Sequence, residues 1–245
     1  MDPSGRVAIL TGGARIGQAV AQALAARGCS LGLTYRGSRE TAERSAASAR
    51  AAGVGAVTCQ ADAREESQVA AAVDRIGSEL GRVDILINMA STYSHTSWTR
   101  LTSRVWSDAV DSNAKSAFLY ALKAAPWMKR TGAGRIVNFS DWTAVSDRPR
   151  YEGYTAYYVA KAAVAGLTES LALELAPDIL VNAIAPGPIV APPDLSAEDE
   201  AKVIAATPLR RWGGADEIAR TVLFLIETEF ITGECLRVDG GRHLY

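Results

Sequence analysis

The sequence predicts a single α/β domain over residues 1–245, a doubly wound parallel sheet with helices on both faces. Three observations carry that expectation. Short apolar runs alternate with alanine-rich amphipathic stretches along the chain, the pattern of successive βαβ units. The runs "VAIL" and "DILI" are apolar without interruption, as strands covered on both faces by crossover helices must be. With 245 residues, 48% of them hydrophobic, the chain can bury one large core.

The elements follow in order. "RVAIL" reads as the first strand and "RIGQAVAQALAARG" as its helix, closed by Gly28. "SLGLTY" is a second strand, followed by the helix "SRETAERSAASARAAG"; "AVTCQAD" is a third, followed by "EESQVAAAVDRIGSEL". "VDILIN" is the fourth strand, and a long helix around residues 113–130 leads to the fifth, "RIVNFS". The helix "YVAKAAVAGLTESLALELAP" runs into the strand "DILVNAIAP". Near the end, "ADEIARTVLFLIE" is a helix and "ECLRVDG" the last strand. There is no repeat and no linker. The proline-rich stretch 185–199, with Pro186, Pro188, Pro192 and Pro193, is a loop beside a strand's C-terminal end, placed to act as a lid.

Composition excludes several function classes. Lys+Arg is 26 and Asp+Glu is 27, a net charge of −1, so no basic field recommends nucleic acid or an anionic membrane. The opening "MDPSGRVAIL" lacks a charged segment followed by a long apolar one, so no secretory leader is expected. No apolar run approaches the roughly 20 residues of a membrane span. Cys29, Cys59 and Cys235 are odd in number and widely spaced, which fits a reducing cytoplasm and small buried side chains. With only His95 and His243 to supply imidazole, no metal site is expected.

The turn "TGGARIG", residues 11–17, joins the first strand to the first helix. Glycines there let the backbone approach a pyrophosphate at a helix N-terminus, making the expected fold Rossmann-like. The end of the second strand reports the dinucleotide: an acid binds a ribose 2′-OH, a basic residue accommodates a 2′-phosphate. Here it reads "LTYRGSR", Tyr35 followed by Arg36, with no acid, and Arg15 lies in the glycine turn. Guanidinium groups form charge-assisted forks to phosphate, so NADP(H) is expected rather than NAD(H).

In "YTAYYVAK", residues 154–161, Tyr157 and Lys161 are four apart and share a helix face. Tyr158 is expected to point elsewhere, and Tyr154 lies near the helix start. An ammonium beside a phenol favours the phenolate, and such a tyrosine can give a proton to a carbonyl or imine as hydride arrives.

With the glycine turn, these residues resemble the short-chain dehydrogenase/reductase family. The likeness covers nearly the whole chain through "TGGARIG", "CQAD", "INMAS", "SNAKSAF", "GRIVNFS", "YVAK", "VNAIAPG" and "ITGECLRVDGG". It implies that Tyr157 is the general acid, that Lys161 binds the nicotinamide ribose and lowers the tyrosine pKa, and that Asn113 holds a water of a proton relay. It places Gly12, Ile16 and Gly17 at the pyrophosphate and Asp62 beside the adenine. It sets Asn88, Ala90 and Ser91 along the cofactor, and Pro186, Gly187 and Ile189 around the nicotinamide. It also implies a homotetramer, with the C-terminal strand and "GGRHLY" near an interface.

The chain departs from the family pattern at Met89, Ser91, Ala191 and Asp141. The last stands where the family carries its catalytic serine, directly after Ser140. An aspartate there is similar to the pteridine reductases, a subgroup that Arg15, Ser91 and Tyr93 also match; Tyr93 is then expected to stack on the substrate. Trp98, Trp142, Tyr151 and Trp212 are further candidates for an aromatic wall. His95 reads as an exposed loop residue.

The expected activity is an NADPH-dependent reduction of a small molecule, a pterin or other C=N heterocycle first. A carbonyl reductase, such as a 3-oxoacyl-[acyl-carrier-protein] reductase, and a non-catalytic NADPH-binding regulator stand as rivals. Intact Tyr157, Lys161 and Asn113 argue against the regulator, which needs no general acid.

Overall fold

A computed structural model describes residues 1–13, 16–146 and 150–244. Seven parallel strands form one sheet: β1 (Val7–Gly12), β2 (Ser30–Tyr35), β3 (Ala56–Gln60), β4 (Ile85–Met89), β5 (Gly134–Phe139), β6 (Ile179–Pro186) and β7 (Cys235–Val238). Their order is β3-β2-β1-β4-β5-β6-β7. The helices are α1 (Gly17–Ala26), α2 (Arg39–Ala51), α3 (Glu66–Leu80), α4 (Ser103–Val110), α5 (Ser116–Thr131), α6 (Thr155–Leu175), α7 (Ala197–Ala205) and α8 (Ala215–Glu227).

Every residue of β4 and of β5 is buried, which is why those segments carry no polar alternation. One core gathers Leu10, Leu24, Leu31, Ile87 and Val222. The other gathers Ile9, Val73, Ile76, Leu86 and Ile136. Adjacent residues of one strand therefore serve opposite cores, as a period of two requires. Each such side chain contributes roughly 1.5–3 kcal/mol by leaving water. α3 lies so close to β2 that a Cβ on Gly32 would meet Ile76 Cγ2 at 2.4 Å.

The chain winds outward from β1 through β2 and β3, then returns to the other side of β1 as β4. A crevice opens beyond the strand ends at that reversal. Thr11 fastens the two sides together: its Oγ1 accepts from the backbone N–H of Met89 and of Ala90, both at 3.1 Å.

Two helices escaped the reading of the sequence, α4 and α7. Neither buries a residue, so neither carries the apolar stripe that announces a helix. Their caps form them locally instead. Thr102 accepts from Val105 N–H at 3.3 Å, and Ser196 from Asp199 N–H at 3.1 Å. α7 follows directly on the proline-rich loop. The expected long helix around 113–130 is α5 preceded by a π-helical turn, Asp111–Lys115.

Candidate active site

Two cavities lie side by side over the C-terminal ends of the strands. One, of about 540 Å³, is walled by Gly12, Tyr35, Arg36, Asp62, Arg64 and Ala90 among others. The second, of about 430 Å³, holds Asp141, Tyr157 and Lys161. Ile16, Met89, Ser91 and Phe139 line both, so the two form one cleft.

The first cavity has the shape and charge for a dinucleotide phosphate. Gly12 and Gly13 have φ of 64° and 85°, a left-handed conformation that glycine adopts without strain. A Cβ on Gly12 would stand 3.0 Å from Ala90 Cα, and one on Gly13 3.0 Å from Gly17 Cα. The backbone is thus bare where a phosphate would approach. α1 starts there with no side-chain cap and no acid in its first turn, leaving N–H groups to face an anion. Arg15 lies outside the described residues.

Arg64 is a residue that sequence reading missed. Its Nη2 meets Asp62 Oδ2 at 2.6 Å and its Nε meets Oδ1 at 3.0 Å. These bonds hold the Asp62 carboxyl at about 2, well under the usual carboxylate range. The pair keeps that carboxylate neutralised in a cavity suited to anions. Its signal in the sequence was only an arginine two residues from an aspartate.

The catalytic candidates converge from three elements. β5 ends at Phe139 and a turn follows. Asp141 Oδ1 accepts from Thr143 Oγ1 at 2.6 Å and from Thr143 N–H at 2.8 Å, an aspartate folding back on its own backbone. The other oxygen, Oδ2, accepts from the Tyr157 hydroxyl at 2.8 Å. Tyr157 and Lys161 share a face of α6, with Lys161 Nζ 5.8 Å from the Tyr157 ring centroid. The lysine is buried and donates to the carbonyl of Phe139 at 2.8 Å. Ser140 Oγ donates to the carbonyl of Lys161 at 2.9 Å; it fastens β5 to α6.

The electrostatics correct one expectation. Burial first, then the Asp141 charge and the hydrogen bond donated to it, push the Tyr157 phenol well above its usual pKa. The ammonium was expected to pull it down, yet its nearest bonded partner is a backbone carbonyl and the tyrosine's is a carboxylate. An anionic acceptor stabilises the protonated phenol. Lys161 itself is drawn down to about 8 by burial, with Asp141 opposing.

Asn113 sits in the π-helical turn, a local widening common at functional sites. Its Oδ1 accepts from Ser91 Oγ at 2.7 Å and its Nδ2 donates to the carbonyl of Ala109 at 2.9 Å. Asn88 lines neither cavity: its Nδ2 donates to Asn138 Oδ1 at 2.9 Å, tying β4 to β5. Gly17 lies behind Gly13 at the start of α1. Pro186, Gly187 and Ile189 line the second cavity.

Tyr93 stacks on Tyr154 at 4.7 Å and meets Tyr157 edge-on at 4.8 Å. Trp142, Tyr151 and Trp212 also face the second cavity. So does Tyr158, contrary to expectation. Trp98 is 74% exposed and takes no part. His95 is exposed and touches the Tyr154 ring edge-on. Pro188, Val190 and Pro192 of the loop, with Val203 of α7, close the wall.

A family model described as Enoyl-(Acyl carrier protein) reductase matches residues 13–243. The 3-oxoacyl-[acyl-carrier-protein] reductase FabG of Staphylococcus aureus is 36% identical over 97% of this chain and 98% of its own. The chain belongs to the short-chain dehydrogenase/reductase family. A solved short-chain dehydrogenase/reductase from Serratia marcescens superposes with a TM-score of 0.91 at 30% identity, covering 99% of this chain and 100% of that one. An acetoin dehydrogenase, YohF, from Salmonella typhimurium gives 0.87 at 35% identity, covering 98% and 97%. Two of these relatives are named for a 3-oxoacyl group and for acetoin, and none of the three is named a pteridine reductase. The subgroup suggested by Asp141 is therefore not the one their names favour.

Within a short-chain dehydrogenase/reductase, Thr143 was illegible in the sequence because its role depends on the turn after β5. It orients the Asp141 carboxylate toward Tyr157. We expect Thr143→Val to lower kcat by roughly tenfold to hundredfold, the worth of one hydrogen bond to a charged group, and to move the pH profile. KM for the dinucleotide should hold, and Thr143→Ser should restore the rate. A Thr143→Val enzyme with wild-type rate and pH profile would leave the backbone N–H as sufficient.

Proposed function

We propose that this short-chain dehydrogenase/reductase is an NADPH-dependent reductase of a small molecule, with Tyr157 as the proton donor. The observation that carries it is the Tyr157 hydroxyl bonded to Asp141 Oδ2, with Tyr157 buried and lining, with Lys161, the cavity next to the one suited to a dinucleotide. When bound, the dinucleotide supplies a hydride. Tyr157 then gives its proton to the atom that gains negative charge, and its raised pKa keeps that proton in place at neutral pH. Lys161 holds positive charge beneath the site, and Asn113 fixes the loop that carries Ser91.

For the substrate, the relatives support a carbonyl compound. A second reading, reduction of a C=N bond in a planar heterocycle such as a pterin, rests on Asp141. A carboxylate beside the acid can accept a hydrogen bond from an amino edge, and in its protonated form can pass a proton to a ring nitrogen. Tyr93, over Tyr154 and Tyr157, offers a face for a flat ring. Following NADPH consumption with dihydrobiopterin and with an acetoacetyl thioester separates the two.

The choice of NADPH is supported by Arg36 on the wall of the first cavity, by the absence of an acid after Tyr35, and by Arg64 neutralising the Asp62 carboxylate there. We expect a preference for NADPH over NADH of about 1–3 kcal/mol, the worth of charge-assisted bonds to one phosphate. Arg36→Ala should remove most of it. Equal kcat/KM for the two dinucleotides, or an unchanged preference in the variant, would overturn this assignment.

No helix of the described residues is long and apolar enough to cross a membrane. The cytoplasmic reading is supported by three free cysteines. The homotetramer is supported by exposed Phe118 and Leu122 on α5 and Leu173 on α6. Small-molecule turnover with no nucleic-acid or membrane partner remains part of the same proposal.

A further inference from the structure

The C-terminal turn builds one wall of the catalytic cavity. Asp239, buried at the end of β7, holds it. Its Oδ1 accepts from Gly241 N–H at 3.0 Å, and its Oδ2 accepts from His243 N–H at 2.9 Å and lies 2.7 Å from His243 Nδ1. The same aspartate presses on the loop after β6, where a Cβ on Gly187 would come within 2.5 Å of Asp239 Cβ. Residues 239–244 are therefore locked against the cavity floor.

This turn delivers Arg242 to the cavity wall. Its guanidinium carbon lies 5.4 Å from the centroid of Trp142, the buried neighbour of Asp141. Arg150 approaches the same ring at 5.4 Å and donates to the carbonyl of His243 at 2.8 Å. Arg242 Nη1 donates to the carbonyl of Ala206 at 2.9 Å. The carboxylate nearest in sequence, Asp239, is committed to Gly241 and His243. Among the described residues Arg242 forms no ion pair, and Asp141 is the one carboxylate on the wall, against Lys161, Arg150 and Arg242. A guanidinium half-buried on an aromatic face, bonded to a neutral carbonyl, keeps its charge and part of its donor fork for a ligand.

We propose that Arg242 is a specificity-determining residue that receives a carboxylate carried by the substrate, on the part remote from the bond being reduced. Its fork matches a carboxylate in two parallel hydrogen bonds. The proposal rests on the reading that this cavity takes the substrate of the reduction.

The test uses two matched acid–amide pairs. Dihydropteroate and its carboxamide carry a reducible C=N bond; 4-acetylbenzoate and 4-acetylbenzamide carry a ketone. Turnover with NADPH is measured for each, and binding to the NADPH-loaded protein is measured by calorimetry. We expect the acid to exceed its amide by about tenfold to hundredfold on at least one scaffold, the range for a charged hydrogen-bonded contact. Arg242→Gln should bring acid and amide to within a few-fold, and Arg242→Lys should recover part of the gap. A merely structural arginine would depress both members alike. An acid preference that survives in Arg242→Gln, or none in wild type by turnover or binding, overturns the proposal. Acid-selective binding without turnover on either scaffold would instead overturn the reductase reading and leave Arg242 in its role.

Discussion

We expect Tyr157→Phe to abolish turnover while the dinucleotide still binds. The substitution removes one hydroxyl, the one bonded to Asp141, and keeps the ring that meets Tyr93. Proton transfer by a positioned group is worth about 10²–10⁴ in rate, so activity should fall by at least about a hundredfold. Fluorescence titration with NADPH should change little, because the hydroxyl faces Asp141 on the substrate side. Tyr154→Phe, which keeps its stack on Tyr93, should lose far less. Retention of more than a few per cent of activity in Tyr157→Phe would remove the tyrosine from the proton-donor role. Lys161→Ala should damage both turnover and dinucleotide binding, since its buried charge lies beneath both functions.

The pH profile of the wild type follows from the same geometry. The Tyr157 phenol is held far above neutrality, so it stays protonated across the working range. Lys161 is the group that titrates, at about 8. It is charged below that value and neutral above it. The rate of reduction should therefore hold between about pH 6 and 7.5 and fall as pH rises through about 8. A profile flat to pH 10 would show that the lysine charge is not needed.

Asp141→Ser should separate the two substrate readings. The serine restores the family's usual side chain, a neutral donor that can hydrogen-bond a ketone oxygen. It cannot pass a proton to a ring nitrogen at neutral pH. It also breaks the arrangement in which Thr143 holds one carboxylate oxygen and Tyr157 the other. Reduction of a pterin or cyclic imine should drop by about a hundredfold, while reduction of an activated ketone changes by less than about tenfold and can rise. Releasing Tyr157 from an anionic partner also lowers its pKa, which suits a ketone oxygen. Equal losses on both substrates would make Asp141 a structural element of the turn. A wild type inactive on every C=N substrate would place the protein with its carbonyl-reducing relatives.

Much of this was legible along the chain. The parallel sheet follows from βαβ repetition, and uninterrupted apolar runs mark strands covered on both faces. Tyr157 and Lys161 declare themselves by a spacing of four, and Gly12 by its place between β1 and α1. Asp141 stands out because it ends a buried run. These are short-range patterns, and a sequence records short-range patterns directly. What only the tertiary structure decided lies in contacts between distant segments. The tyrosine's pKa was expected to fall because Lys161 is near in sequence. It rises because burial disfavours the phenolate and because Asp141, sixteen positions away (157 minus 141), is a negative charge that accepts the hydroxyl's hydrogen bond. Asn88, legible as a residue beside the cofactor, turns to Asn138 on the neighbouring strand because the pleat sends it inward. Arg64 and Arg242 reach the two cavities through a side chain's length and a turn's anchoring, neither of which leaves a period in the sequence. Local repetition wrote the scaffold into the chain, and the charges that select a substrate meet only after the chain has closed on itself.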